Sequence, residues 1–158
     1  MNKFKKILIL CSLLFSVLLS GGNIMAQKAT KISTNRYGLK LKINKVEAFD
    51  RKVVIDGVFQ NNDDYDMGIN VRNYWSTAFD DEGNRYAGDN ITFSLGSGNM
   101  GSAASSTIPA GASLKMRIII SGVPEAANYI DYIKIDTYPE TDKNIIIRNL
   151  PIYREGDE

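Results

Sequence analysis

The chain has 158 residues with 19 basic and 18 acidic side chains, one cysteine and no histidine. Without histidine, Ser-His-Asp and Cys-His nucleophile systems are excluded, and zinc loses its usual nitrogen ligand. The near-balanced charge leaves no basic excess to attract nucleic acid or anionic lipid.

The first segment, MNKFKKILILCSLLFSVLLSGGNIMAQ, places Lys3, Lys5 and Lys6 before an apolar run from Ile7 to Leu19 and ends on a small residue, Ala26. This basic, apolar, small-residue order predicts a cleavable signal peptide over residues 1–26. The apolar run is shorter than the ~20 residues a membrane span needs. A lipid anchor on Cys11 is the competing reading, but Ile9 and Leu10 before it offer no small residue for cleavage. Removal of residues 1–26 leaves 132 residues with 16 basic and 18 acidic side chains and no cysteine. We therefore expect one exported domain, periplasmic or extracellular, held by burial rather than disulfides.

Residues 27–37 are read as a flexible N-terminal segment. From Leu39 the pattern has period two: Leu39, Leu41 and Ile43 alternate with Lys40, Lys42 and Asn44, as a half-buried strand requires. In KVVIDGVFQ, Val53, Ile55 and Phe59 share one face, and the tetrad NNDD at 61–64 closes the strand as a polar turn. MGINVRNYWSTAFDDEGNRYAG is expected to form a strand and hairpin, with Gly83 supplying a positive φ. A strand follows at Ile91–Leu95, then the glycine- and serine-rich loop 96–106. Pro109-Ala110-Gly111 turns the chain into a strand with Leu114, Met116, Ile118 and Ile120 on one face. PEAANY at 124–129 has room for one helical turn. Strands are expected within 128–138 and 144–153, before a charged tail at 154–158. About seven to nine short strands without a convincing helix predict an all-β, immunoglobulin-like sandwich of antiparallel strands over residues 38–153.

The loop Gly96-Ser97-Gly98-Asn99-Met100-Gly101 spells the dinucleotide fingerprint, yet SAASSTIPAG follows it and provides no helix to receive a pyrophosphate. We expect no nucleotide and no other cofactor. NDDYDMG at 62–68 spaces Asn62, Asp64 and Asp66 two apart, but Gly68 and Asn73 miss the positions an EF-hand loop requires, so a solvated turn is expected. Asp80, Asp81, Glu82 and Asp89 are candidate carboxylates for glycoside hydrolysis, and Ser113 with Lys115 a candidate serine–lysine pair. Both sets sit where a turn or a strand face explains them, so no enzyme activity is expected. Asn90-Ile91-Thr92 fits a glycosylation triplet, a coincidence in a chain with this export signal.

Binding is the remaining function class. Trp75 shares strand parity with Val71 and Phe79 and is assigned to the core, whereas Tyr74 faces outward. Tyr65, Tyr74 and Tyr86 on one surface would stack on sugar rings, and Asn99 and Met100 would present the tip of the glycine-rich loop.

Three stretches, VVIDGVFQNNDDYD, AFDDEGNRY and IPAGASLKMRIIISGVP, make residues 38–136 resemble the secreted immunoglobulin-like domains of unknown function found in bacterial envelope proteins and lipoproteins. The resemblance implies an exported β-sandwich and supplies no catalytic residues. We thus expect a non-catalytic envelope module whose partner is an envelope protein, contacted through sheet edges or the loops 61–67 and 96–106. The alternative partner is an extracellular glycan. Neither nucleic acid nor a membrane span after signal removal is expected.

Overall fold

A computed structural model describes residues 28–137 and 144–154. The signal segment, Cys11, the 138–143 connection and the last four residues of the tail lie outside them. Among the described residues no helix is long and apolar enough to cross a membrane.

Among the described residues the regular structure is almost entirely strand. One antiparallel sheet runs β1 (Lys31–Thr34), β10 (Ile145–Pro151), β9 (Tyr129–Thr137), β4 (Met67–Asp80), β5 (Arg85–Ala87), with β7 (Ala103–Ile108) also pairing with β4. The second runs β2 (Leu39–Phe49), β3 (Lys52–Asn61), β8 (Ser113–Ser121), β6 (Ile91–Leu95). A single 3-10 turn, Gly88–Asn90, leads into β6. Both sheets contribute to one apolar core rich in isoleucine: Ile55, Ile118 and Ile120 from the second, Ile133, Ile135, Ile145 and Ile147 from the first, all fully buried. β-Branched side chains suit a pleated inner face, and each such burial contributes roughly 1.5–3 kcal/mol.

The period-two pattern holds in most strands. On β8, Met116, Ile118 and Ile120 point inward while Lys115 and Arg117 are exposed. On β2, Leu39 and Leu41 are buried, then the pairing with β3 slips between Ile43 and Lys45, so that Val46 rather than Lys45 turns inward. A bulge of this kind changes the parity of every later residue. β2 and β3 join through Asp50 and Arg51, both at positive φ (50° and 56°), the backbone that a tight hairpin needs.

Two polar side chains lock the turns. Asn61, fully buried at the end of β3, donates from Nδ2 to the carbonyls of Tyr65 (2.8 Å), Ile108 (3.0 Å) and Pro109 (3.3 Å), and its Oδ1 accepts from the Asp63 N–H (3.0 Å). It therefore ties the last residue of one sheet to the strand end of the other. Asp80 does the same for the hairpin after β4. Its Oδ1 accepts from the N–H groups of Glu82 (3.1 Å) and Asn84 (2.8 Å), its Oδ2 from Asn84 Nδ2 (2.9 Å) and the Tyr86 hydroxyl (2.6 Å). Gly83 takes φ +84° within this turn and Gly111 φ +70° after Pro109, as their turns require.

Ten strands are present among the described residues, against the seven to nine expected. Lys31–Thr34, inside the segment read as flexible, pairs with β10 from Lys31↔Arg148 to Thr34↔Ile145. Ala103–Ile108, whose first four residues fall in the segment 96–106 read as loop, pairs with β4 from Ala103↔Arg72 to Ile108↔Met67. Both are short and low in bulky apolar residues, so neighbouring strands, rather than their own propensity, order them. PEAANY forms a turn closed by the Ala127 N–H to Pro124 carbonyl bond (3.2 Å), not a helix. Arg154, the first residue of the expected tail, is held by Nη2 donating to the Ala127 carbonyl at 2.6 Å.

Candidate binding site

The most distinctive surface feature is on β4. Against β9, β4 pairs at Val71↔Thr137 and Arg72↔Asp136 and resumes only at Thr77↔Lys134, so residues 73–76 stand against Ile135 alone. The surplus residues leave the sheet as a bulge. Its feet are polar and buried. The Asn73 N–H donates to the Ser102 carbonyl (2.8 Å), and the Ser76 hydroxyl donates to the Arg72 carbonyl (2.5 Å) while accepting the Asp136 N–H (3.1 Å). Short polar side chains beside a kinked backbone satisfy groups that the ladder no longer pairs.

The apex of the bulge is Tyr74 and Trp75. They are 75% and 55% exposed and meet edge to face, with ring centroids 4.7 Å apart and planes at 87°. The assignment of Trp75 to the core is therefore incorrect. Strict alternation from Val71 places it inward, but the bulge reverses parity: Met67, Ile69 and Val71 point inward before it, Ser76, Ala78 and Asp80 after it. The sequence carries no sign of this, since its bulky apolar residues Met67, Ile69, Val71, Trp75 and Phe79 all keep odd parity.

Beside Tyr74 lies an open depression of about 520 Å³, lined by Arg72, Asn73, Asp89, Ser102 and Ser105 among others. Its walls combine one aromatic face with several hydrogen-bonding groups, which suits a polar ligand that also carries an apolar face.

The tyrosine trio does not form one platform. Tyr65 is exposed on the loop before β4, separated from Tyr74 by most of the straight first half of that strand. Tyr86, expected outside, is buried, because β5 pairs Tyr86 with Ala78 on the inward-facing side of β4. Its own burial and then the Asp80 carboxylate raise the phenol's pKa. Burial works against ionisation of Asp80, but the bonds from Tyr86, Asn84 and Glu82 outweigh it and hold that carboxyl below its usual range. Tyr86 is thus a structural residue. Asn99 and Met100 are exposed on the β6–β7 connection. Their loop is rooted where Gly101 exchanges two 2.9 Å bonds with Phe93 and Ser102 accepts from Asn73. The structure therefore brings Tyr74, Trp75 and the root of the Asn99–Met100 loop to one region, and leaves Tyr65 and Tyr86 elsewhere.

Two of the four carboxylates weighed for catalysis, Asp80 and Asp81, have structural tasks. Asp80 caps the hairpin, and Asp81 accepts the Asn128 N–H at 3.0 Å and 3.3 Å. Of the residues weighed for calcium, Asp66 accepts the Ala110 N–H (3.1 Å). No group of three or more histidine, cysteine or acidic side chains suited to a metal ion occurs among the described residues. Ser113 and Lys115 share the outer face of β8, both exposed. No protein-family model, no curated protein and no solved structure matches this chain.

Proposed function

We propose that this chain is an exported, non-catalytic binding module of a bacterial envelope, with an immunoglobulin-like sandwich as scaffold and the β4 bulge as its contact site. Support for the scaffold comes from the strand order: β2-β3-β8-β6 and β10-β9-β4 follow the four- and three-stranded immunoglobulin sheets, with β1, β5 and β7 added to the second. The bulge departs from that pattern by turning outward the tryptophan that such domains keep inside.

The observation that carries the proposal is the exposed Tyr74–Trp75 pair on buried polar feet. Displaying two large aromatic rings to water is unfavourable, and a partner that covers them would remove about 250–300 Å² of surface, a gross gain of roughly 6–7 kcal/mol before association costs. The feet fix the rings in advance, which lowers the ordering cost on binding. An edge-to-face pair presents a ridge rather than a flat platform. That shape fits a pocket on a protein, and Tyr and Trp are the residues that dominate such contacts. Asp80 and Asp81 of the hairpin accept backbone N–H groups, and this structural use supports a binding rather than a catalytic role.

A glycan is the second reading, favoured by the polar depression against the Tyr74 ring. Envelope crosslinking with residues 27–158 separates the two. We expect one stoichiometric protein partner, lost in the Tyr74→Ala/Trp75→Ala variant, and an empty glycan array. Glycan binding lost in Tyr74→Ala would move the assignment to sugar recognition. Capture unchanged in the double variant would refute the bulge as the site.

A further inference from the structure

A second surface, remote from the bulge, has its own chemistry. β1 ends the larger sheet and β2 the smaller, and between these two edges lies a groove of about 580 Å³. Its apolar wall is built from Ile32, Leu41, Ile43, Val46, Leu150 and Tyr153. β1 is short and covers β10 only over Ile145–Arg148. β2 pairs with β3 on one side. On its other side the described chain meets it near the far end, where Ala48 bridges Arg154 and its N–H donates to the Tyr153 carbonyl.

The outward face of β2 is basic. Lys40, Lys42 and Lys45 are all exposed. Lys45 pairs with Glu47 (2.5 Å), and Arg117 on β8 forms a two-pronged bond to Asp56 (2.6 and 2.8 Å). Lys40 and Lys42 instead stand across β3 from Gln60 and Val58, and Lys115 lies beyond Val58 on β8. Positive charge is thus concentrated on the edge strand of a molecule whose overall charge is nearly balanced.

We propose that the β2 edge between Leu39 and Val46 accepts an added strand from an extended polypeptide whose alternate side chains are acidic and apolar. A strand laid beside β2 continues its pleat, so its side chains alternate between the two sides of the sheet. Those on the inner side enter the groove beside Leu41 and Ile43; those on the outer side lie next to Lys40 and Lys42, where opposite charges across strands attract. A second copy of this chain is a poor occupant, because two β2 edges in register would place lysine against lysine. The bulge at Asn44 bounds the straight part of the edge and sets the register an incoming strand must adopt.

This inference goes beyond the β4 contact site and is tested on different residues, so either can fail alone. The probe is a peptide of alternating glutamate and valine long enough to span Leu39–Val46, titrated into residues 27–158, with amide hydrogen exchange read residue by residue. We expect binding that newly protects amides within 39–46. In Lys40→Glu/Lys42→Glu affinity should fall about tenfold or more, and a lysine–valine peptide should now bind in its place. A charge-matched control, Lys52→Glu/Arg85→Glu, should retain the wild-type affinity. The proposal is overturned if affinity is unchanged by the reversal, if protection appears elsewhere than β2, or if the peptide does not bind, whether or not polygalacturonate does.

Discussion

Asn61 offers the sharpest test of how the two sheets are joined. Replacing it with leucine keeps the branched shape but removes one amide that makes four hydrogen bonds: three to carbonyls of Tyr65, Ile108 and Pro109, one from the Asp63 N–H. A net hydrogen bond is worth about 1 kcal/mol, and a buried group left unpaired costs about 1–3 kcal/mol. The Ile108 carbonyl is fully buried, whereas those of Tyr65 and Pro109 lie nearer the surface and regain water. We therefore expect Asn61→Leu to destabilise the domain by about 3 kcal/mol, a Tm decrease of about 10–15 °C for a domain of this size. Urea unfolding of residues 27–158, followed by circular dichroism, measures it. Asn61→Asp adds a pH test. A carboxylate facing three carbonyl oxygens has its pKa raised above the unfolded value, so this variant should recover stability as pH falls through the folded pKa, opposite in sign to an ordinary paired aspartate. A loss under about 1 kcal/mol in Asn61→Leu with unchanged cooperativity would refute the account of Asn61 as the tie between sheets.

Tyr86→Phe removes the 2.6 Å bond to Asp80 Oδ2 and should cost about 1.5–3 kcal/mol, read by urea midpoint at neutral pH. Because the folded-state pKa of Asp80 is lowered, its contribution is present above the unfolded carboxyl value of ~3.9 and is lost as pH falls through the folded value. Asp80→Asn should therefore flatten the acid limb of the stability profile, and an unaltered limb would contradict it. Trp75 is the only tryptophan, so native fluorescence should resemble that of a water-exposed indole, be quenched by iodide, and shift to the blue when a partner covers the bulge. Emission typical of a buried indole would show that the bulge is folded inward. Gly57→Ala should cost about 1–3 kcal/mol by thermal unfolding, since a Cβ there would lie 2.5 Å from the Lys42 carbonyl oxygen and 2.9 Å from Met116 Cε.

Asn61 and Asp80 also explain why the motifs quoted from the sequence were informative about fold but silent about activity. NNDD and DDEGN are turn sequences whose polar residues bond backbone close by, and they can be recognised from spacing alone. The partner of Asn61 in space, Ile108, is 47 positions away, and no local pattern announces that bond. Likewise, the apolar residues of β4 keep odd parity from Met67 to Phe79 in the sequence, and the bulge is set by where β9 resumes pairing. The Tyr74–Trp75 bulge lies where burial changes parity, and a rule based on alternation misplaced Trp75 for that reason.

The order of residues alone determined the strands with bulky apolar alternation, β3, β6 and β8 above all, because period-two burial is a property of each strand by itself. It also determined the turns at Gly83 and Gly111, whose positive φ needs glycine whatever surrounds it. Tertiary structure decided the remainder: β1 and β7, which become strands only because β10 and β4 lie beside them; the burial of Tyr86; the exposure of Trp75; and the open edge of β2. Each depends on which strands become neighbours, and that choice minimises exposed apolar surface over the whole chain rather than within any one segment.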